Sequence, residues 1–392
     1  MLLFSTAVIP LLSLWLWWPA SALPWAMRLA AVAATALLAS SPALLLYLMQ
    51  AGRLGYATAA QLQVPSGWAL APLVLALPLV LLRDAGWLAA HLGGAARAAR
   101  ILHGAALTPA IVALAAAVSA YGVWAAVRQP QVHEQQIAVP ALPPALDGLR
   151  VAVLADLHAS PVNDARYVQA VVERTLAARP DLIVLPGDMV DGPVSATAPS
   201  VAPLARLQAP LGVWLAPGNH EYYSGYDAWM AEFARLGLSV LQNRTALLQV
   251  GDARLALSGI GDPVYGRTSR NNADPNVPEG VAPDVAAVAA QARAGNADFH
   301  LLLAHQPKFA RDYAQHGIGL QLAGHTHGGH IRGFDRWVVA PFNNGFVRGL
   351  YEVGGMRLFV SNGAGLWSGF AVRLGVPARI DVLTLRRAAT PP

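Results

Sequence analysis

The chain has 392 residues, a formal net charge of +5 and no cysteine. That length accommodates about two to three domains of roughly 150 residues each. The absence of cysteine excludes disulfides and thiolate metal ligands, so any metal must be held by nitrogen and oxygen. Nearly all the positive charge is arginine, with Lys308 the single lysine. No basic block is interleaved with aromatic residues, so no nucleic-acid partner is expected.

The first 127 residues are almost free of charge. They hold one acid, Asp84, and five arginines, Arg28, Arg53, Arg83, Arg97 and Arg100. Four uncharged stretches result: 1–19, 29–49, the apolar part of 54–82, and 104–127. About 20 apolar residues span a bilayer core, so the first, second and fourth are long enough, whereas Pro72 and Pro78 make the third the weakest. We predict an α-helical transmembrane region of about four helices over residues 1–127.

The arginines also predict an orientation in the membrane. The first stretch lacks the basic start of a cleaved signal peptide, and tryptophans cluster at its end as interface anchors do, so a retained span is the favoured interpretation. With four spans, the arginines at 28, 83, 97 and 100 share one side, and those at 53 and 128 lie on the other. The positive-inside rule then predicts a multi-pass protein of the inner (cell) membrane with everything after residue 128 on the extracytoplasmic side. If the third stretch does not span the membrane, the predicted side of the domain is reversed.

The pattern changes after the last apolar stretch. Residues 128–148 are an exit segment in which Val132, Ile137 and Val139 fit a short edge strand, and three prolines stiffen the chain between that strand and residue 148. From residue 149 short apolar strands alternate with amphipathic helices, which are predicted at 166–179 and 226–236. The strands are predicted at 149–155, 182–185, 212–216, 254–260, 299–304 and 318–323.

Five of these strands end in side chains that bind metals. They are Asp156 and His158, Asp188 and Asp191, Asn219 and His220, His305, and His325 and His327. In layered α/β proteins the carboxyl ends of strands line up along one edge, so these residues should converge. Asp156 and His158 are two residues apart, as are His325 and His327, and in a turn leaving a strand that spacing lets both members face one pocket.

These motifs carry a family resemblance. Asp156-x-His158, Gly187-Asp188-x-x-Asp191, Gly218-Asn219-His220-Glu221, His305 and Gly324-His325-x-His327 resemble, in order and type, the five-motif signature of the calcineurin-like metallophosphoesterases. The similarity spans roughly 149–331, and the runs at 349–351, 357–365 and 372–374 are similar to the membrane-anchored bacterial branch. The resemblance implies a four-layer α/β/β/α sandwich, which we predict over residues 149–387.

The same resemblance implies a dinuclear site. Two divalent ions would be bound, manganese, iron or zinc, since nitrogen and oxygen ligands suit all three. Asp156, His158 and His327 would hold one ion, Asn219, His305 and His325 the other, and Asp188 would bridge them. His220 would donate a proton to the leaving oxygen or stabilise charge on phosphorus, and Asp191 would orient it. A metal-bridging hydroxide would attack phosphorus in line.

Four further residues are candidates for substrate contact. His330 stands where the related branch usually has glutamine, and an exposed turn histidine is an equal interpretation of it. Tyr222 could line the pocket, although packing against the following helix is favoured. Arg267 and Arg270 lie in the aperiodic loop 261–284, whose length is typical of a functional segment and which we expect to select the substrate.

The sequence therefore predicts a membrane-anchored dinuclear phosphoesterase. Its partners would be the membrane and a phosphoester substrate. That substrate would be a phosphodiester or a lipid-linked pyrophosphate, and the preference for a lipid is based on the membrane anchor alone. Two alternatives remain open: a non-catalytic scaffold of the same fold, and a membrane sensor or transporter that the domain regulates. Few ionisable groups lie in the spans, which argues against transport. Substrate identity, metal identity and oligomeric state are not predicted.

Overall fold

The computed structural model describes residues 7–51, 53–267, 279–367 and 369–388, without the side chains of residues 49 and 50. It divides into two compact units. The helical unit comprises Met1–Val127 and Ser368–Arg373, and the sandwich unit comprises Arg128–Trp367 and Leu374–Pro392. The range predicted for the sandwich, 149–387, is therefore interrupted by six residues that belong to the helical unit.

The helical unit is built from apolar helices. They are α1 (Ile9–Trp17), α2 (Trp25–Ala39), α3 (Ser41–Gln50), α4 (Tyr56–Leu92), α5 (Ala96–Leu102) and α6 (Leu107–Ala126). Within the described ranges, α4 and α6 are long and apolar enough to cross a membrane, and α2 with α3 makes a third if the 48° bend between them belongs to one broken span. The structure thus supports two or three of the four predicted spans.

The third apolar stretch, the weakest in sequence, forms the longest of these helices. Helix α4 runs unbroken for 37 residues although Pro65, Pro72 and Pro78 lie inside it. Each proline removes one backbone hydrogen bond, and neighbouring helices in a bundle make up for such losses. In the first stretch, by contrast, the described part forms α1, whose nine residues are fewer than the roughly 20 needed to span a bilayer.

The sandwich unit alternates strands and helices. Its strands are β1 (Gln131–Val139), β2 (Arg150–Val153), β3 (Leu182–Pro186), β4 (Val213–Ala216), β5 (Ser239–Val240), β6 (Arg244–Val250), β7 (Ala253–Gly259), β8 (Phe299–Leu303), β9 (Leu320–Ala323), β10 (Gly349–Val353), β11 (Met356–Val360) and β12 (Arg379–Arg387). Its helices are α7 (Ala165–Ala177), α8 (Val194–Val201), α9 (Asn219–Ser224), α10 (Tyr226–Arg235), α11 (Val285–Ala294) and α12 (Ala310–Tyr313).

The strands form two six-stranded mixed sheets. The first has the order β1-β12-β2-β3-β4-β5 and the second β10-β11-β9-β8-β7-β6. Strands β2, β3 and β4 are parallel neighbours in the first sheet, as are β7, β8 and β9 in the second. Each predicted strand is present with bounds shifted by at most two residues. The motif residues therefore follow the carboxyl ends of β2, β3 and β4, and of β8 and β9.

Burial explains the layering. Side chains from both sheets, such as Val153, Leu257 and Leu301, form one buried apolar cluster between the sheets. The outer face of the first sheet packs on α7 and α10, where Val171 and Phe233 are buried, and α11 and α12 cover the second sheet. Helix α7 begins where the Asp164 carboxylate accepts the Tyr167 backbone N–H at 3.0 Å, which satisfies a free donor of the first turn. The predicted α/β sandwich is confirmed.

Candidate metal centre

The predicted ligands lie in turns that directly follow strands, and most of them have an unusual backbone. Positive φ angles occur at Asp156 (51°), His158 (46°), Asp188 (57°), His325 (72°) and His327 (49°). This left-handed region is uncommon for residues with a Cβ atom. Such conformations cost of order 1–3 kcal/mol each and cluster at functional sites, where the surrounding structure enforces them. The backbone of these turns is therefore strained, and this strained conformation sets the direction of the side chains.

One group of potential ligands joins the turns after β2 and β9. The Nε2 atoms of His158 and His327 are 3.0 Å apart, and His327 Nε2 lies 3.7 Å from Asp156 Oδ1. One ligand atom from each of Asp156, His158 and His327 falls within 4.8 Å of the others. Residues 169 positions apart therefore converge on one point.

A second group joins the turns after β3, β4, β8 and β9. His305 Nε2 is 3.0 Å from Asp188 Oδ2, and His325 Nδ1 is 2.9 Å from the amide oxygen of Asn219. Asp188, His305 and His325 also place one ligand atom each within 4.8 Å of the others. Asp188 Oδ2 lies 3.9 Å from His158 Nε2 as well, so this carboxylate stands between the two groups.

The donor set fits divalent cations. The Pro186 carbonyl can only accept, so His305 Nδ1, 2.8 Å away, donates to it and leaves a lone pair on Nε2. His158 Nδ1 is 2.8 Å from Asp191 Oδ1, and the same argument leaves a lone pair on its Nε2. Asp156 Oδ2 is buried without a hydrogen-bond partner. A buried carboxylate oxygen left without a donor is costly, and a bound cation would remove that cost.

Burial and the neighbouring histidines shift the pKa values of Asp156 and Asp188 in opposite directions. Asp156 is fully buried, and burial raises the pKa of its carboxyl above the usual range. For Asp188 burial acts in the same sense, but His305 and His220 outweigh it and hold the pKa of Asp188 well below its usual range. Asp188 is thus the permanent negative charge at the centre of the site.

The pKa values of the two histidines in the second group are also shifted in opposite directions. Burial and the nearby His305 lower the pKa of His325 to about 3. Burial opposes the charged form of His305 too, yet Asp188 and Asp156 raise the pKa of His305 to about 10. Since metal ligands must be deprotonated, a divalent cation would displace the His305 proton and take over its interaction with both carboxylates.

His220 is held beside the central carboxylate without belonging to either ligand group. Its backbone N–H donates to Asp188 Oδ1 at 2.8 Å, and its Nδ1 lies 2.5 Å from Asp191 Oδ1. Burial opposes protonation, but Asp188 and Asp191 raise the pKa of His220 to about 9. Nε2 lies 4.0 Å from Asp188 Oδ2, and 20% of the side chain is exposed, so a bound substrate could reach this imidazole. Asp191 also contacts His158, a link that the motif spacing does not predict.

Glu221 is a residue to which the sequence assigned no role. Its buried carboxylate accepts the backbone N–H groups of Gly218, Asp188 and Met189 at 2.7, 3.0 and 2.7 Å. It thereby ties the turn after β3 to the start of α9, and a Cβ atom on Gly218 would overlap Asp188 Oδ1. Burial raises the pKa of Glu221 to about 7. An acid directly after Asn219-His220 in the first turn of a helix is the sequence signal that identifies it.

The four candidate substrate contacts have different placements. His330 is 9% exposed and stacks on His327 with ring centroids 5.1 Å apart, so its interpretation as an exposed turn residue is wrong. Tyr222 is buried, and its hydroxyl donates to the Val281 carbonyl at 2.6 Å and accepts the Asp262 N–H at 3.1 Å. Its contact with substrate stays a prediction. Arg267 is exposed at the last described position of its loop, and Arg270 lies outside the described residues.

Comparison with known proteins agrees with this geometry. The family described as calcineurin-like phosphoesterase matches residues 149–329. A transmembrane protein with metallophosphoesterase domain from Bos taurus is 31% identical over 297 residues, covering 72% of this chain and 63% of that protein. An uncharacterized metallophosphoesterase of Campylobacter jejuni is 29% identical over 264 residues, covering 67% of this chain and 64% of that protein. The chain thus spans less than two-thirds of the length of each of these two relatives.

Solved structures include a 5'-nucleotidase precursor from Thermus thermophilus, with a TM-score of 0.41 and 15% identity over 60% of this chain and 54% of that one. The resemblance carried by the five motifs is confirmed by the family match and by the names of the relatives. Residues 149–329 form a domain of the calcineurin-like metallophosphoesterase family.

Proposed function

We propose that this chain is a membrane-anchored, metal-dependent hydrolase of phosphoester bonds with a dinuclear centre. The observation that carries the proposal is the position of Asp188, whose Oδ2 lies 3.0 Å from His305 in one ligand group and 3.9 Å from His158 in the other. A carboxylate between two nitrogen-rich groups is the arrangement that a pair of divalent cations requires.

The residues divide into two half-sites and one bridge. Asp156, His158 and His327 would hold one cation, Asn219, His305 and His325 would hold the second, and Asp188 would lie between them. Their nitrogen and oxygen atoms suit manganese, iron or zinc. When bound, the two cations would supply an activated water as the nucleophile and neutralise charge on the phosphoryl oxygens.

The protein contributes a proton donor beside this centre. Burial disfavours the charged imidazole of His220, but Asp188 and Asp191 favour the protonated form and raise its pKa to about 9. Asp191 fixes the ring through Nδ1, so Nε2 is the atom that faces substrate. From there the imidazolium stabilises negative charge on the phosphoryl group and gives its proton to the leaving oxygen.

The substrate proposed is a phosphodiester or a lipid-linked pyrophosphate. A chain with apolar helices long enough to span a bilayer keeps its site near lipid head groups. We further propose four spans, a multi-pass location in the inner membrane and a phosphoesterase domain on the extracytoplasmic side. That side follows from the arginines at 28, 83, 97 and 100, which the positive-inside rule assigns to the cytoplasm.

The test is a hydrolysis screen on the purified full chain. Phosphodiesters, nucleotide sugars and lipid pyrophosphates are offered after chelation and after adding back manganese or zinc. We expect metal-dependent hydrolysis of at least one class, and loss of hydrolysis with retained metal in His220→Ala. Stoichiometric metal without hydrolysis of any class would favour the non-catalytic scaffold, and the absence of both metal and hydrolysis would refute the proposal.

A further inference from the structure

An exposed apolar face lies after the metal-binding turn that ends β9. The chain there makes two short helical turns, Asp335–Val339 and Ala340–Asn343. Trp337 is 83% exposed and Phe342 is 74% exposed, more than any other large apolar side chain described in the sandwich unit. Val338 and Pro341 are also exposed, and in helical turns residues spaced by three to four positions lie on the same side. These four residues form what we call the apolar face.

The opposite side of this segment is fixed to the metal centre. The buried carboxylate of Asp335 forms an ion pair with Arg348, whose Nη1 also donates to the Gly328 carbonyl at 2.9 Å. The Thr326 hydroxyl donates to the Val347 carbonyl at 2.5 Å. Thr326 and Gly328 flank the ligand His327, so the apolar face is held in a defined position relative to the site.

Exposed basic side chains lie close to the face in sequence and in a neighbouring turn. Arg332 precedes the segment and Arg336 lies in it, and Lys308 and Arg311 are exposed in the neighbouring turn. The Asn344 side chain donates to the Lys308 carbonyl at 2.9 Å, and the Arg311 guanidinium lies 5.7 Å from the Phe346 ring centroid, which places that turn against the segment. Four exposed cations thus lie in residues 308–312 and 332–344, and Asp312 is the one exposed acid among these described residues.

This chemistry matches the surface of a bilayer. Tryptophan and phenylalanine favour the boundary between head groups and acyl chains, and nearby arginine and lysine are attracted to anionic lipids. A protein that carries its own membrane spans is already held at a bilayer, so little further entropy is lost when a small face docks on it.

We propose that the apolar face docks on a bilayer that contains anionic lipids and so presents the metal centre to phosphoesters embedded in it. The inference rests on the proposed function and refines it: the substrate is an amphipathic lipid phosphoester whose head group enters the site while its chains remain in the membrane. Trp337 and Phe342 enter the interface, and the basic residues contact lipid phosphates.

The absence of cysteine allows a direct test on the full chain. Phe342→Cys provides a single labelling site for an environment-sensitive fluorophore, and Leu247→Cys, at a 45% exposed apolar position of β6, is the matched control. Both proteins are reconstituted in phosphatidylglycerol-containing vesicles with and without nitroxide-labelled lipids. We expect blue-shifted emission and about twofold or greater quenching at position 342, and solvent-like emission at 247. Solvent-like emission at 342 would overturn the proposal, as would a shielded label that lipid nitroxides do not quench, which would indicate a second copy or another protein.

A second measurement connects docking to substrate. In the Trp337→Ser/Phe342→Ser variant, hydrolysis of a lipid phosphoester in vesicles should fall about tenfold because the head group is no longer presented correctly, whereas hydrolysis of soluble bis(p-nitrophenyl) phosphate and metal content stay unchanged. Equal rates of lipid hydrolysis in the variant and the parent would contradict the role in substrate presentation. If the parent chain hydrolyses neither compound, the proposed function fails, while the fluorescence still reports on docking.

Discussion

At the scale of single residues, the centre depends on groups that hold its turns as well as on the ligands themselves. Glu221 accepts three backbone N–H groups from the turns that carry Asp188 and Asn219. In Glu221→Gln an amide NH₂ would replace one acceptor oxygen and face donors. We expect a loss of about 1–3 kcal/mol in the free energy of unfolding, because buried donors are left unpaired.

This prediction is checked by denaturant unfolding, with Glu173→Gln on α7, an exposed position, as the control. Metal affinity should fall with stability in Glu221→Gln, since the displaced turns carry Asp188 and Asn219, which are proposed as metal ligands. Unchanged unfolding and unchanged metal affinity would show that the carboxylate is dispensable.

His220 gives a prediction about pH. Burial opposes its charged form, but Asp188 and Asp191 raise its pKa to about 9, so the protonated imidazole is present below that pH and is lost above it. Hydrolysis should therefore decline as pH rises through the pKa of His220, which lies below 9 when bound cations offset the charge of Asp188. In Asp191→Asn the decline should move toward the ordinary histidine value of 6.5, because one of the charges that raises the pKa is gone. A profile of kcat/KM against pH for both proteins measures this shift, and identical alkaline limbs would exclude His220 as the acid.

Removing the imidazole altogether separates catalysis from metal binding. His220→Ala should lower kcat by about 10²- to 10⁴-fold, the usual contribution of a general acid, without changing metal content. Loss of metal in this variant would instead make His220 a ligand.

The motif residues show how far sequence could predict the site. Strand ends in layered α/β folds converge, so the meeting of Asp156 and His327 at one edge could be predicted from the strands. Their assignment to the same ion came from the family resemblance. The left-handed backbone at Asp188 and His325 has no counterpart in composition or spacing, because residues with a Cβ atom rarely adopt it. The three bonds to Glu221 were also not predicted, since the acid lies in sequence beside two more obvious candidates.

At the scale of elements, Tyr222 connects helix α9 to the long loop after β7. Its hydroxyl bonds Asp262 at the start of that loop and Val281 near its end, while α9 carries Asn219 and His220. The side chain first considered as a substrate contact is therefore placed to fix the base of the loop that holds Arg267.

Tyr222→Phe tests this positioning role. It removes both bonds and should change the ratio of kcat/KM between two phosphodiesters that differ in their leaving group, with metal content unchanged. Tyr351→Phe is the matched control, because its hydroxyl accepts two backbone N–H groups, from Val347 and Arg348, away from the loop. A parallel loss of metal and of activity on all substrates would show that the loop is structural and does not select substrate.

Among the elements, strands were predicted better than membrane helices. A run such as Leu182–Pro186 is buried throughout and flanked by turn residues, so its pattern is unambiguous. Helix α4 continues through three prolines because packing in a bundle replaces the lost bonds, which a count of prolines does not reveal. The short strand β5 has two residues and gives no periodic signal.

At the scale of the whole molecule, the proposed topology makes a prediction about accessibility. If the domain after residue 128 is extracytoplasmic, a protease added to spheroplasts should cleave exposed loops of the sandwich unit without prior lysis. The loop that contains Arg267 is a suitable target, since Arg267 itself is exposed. Protection until the membrane is permeabilised would place the domain in the cytoplasm and reverse the assignment made from the arginines.

We propose that seven residues from five strand ends bind two ions, with Asp188 between them. Metal analysis of the purified full chain after reconstitution with manganese or zinc measures this stoichiometry, with hydrolysis measured on the same samples. We expect two ions per chain in the parent, and in Asp188→Ala at most one ion and no hydrolysis. A single ion in the parent, or an active Asp188→Ala protein, would contradict the dinuclear account.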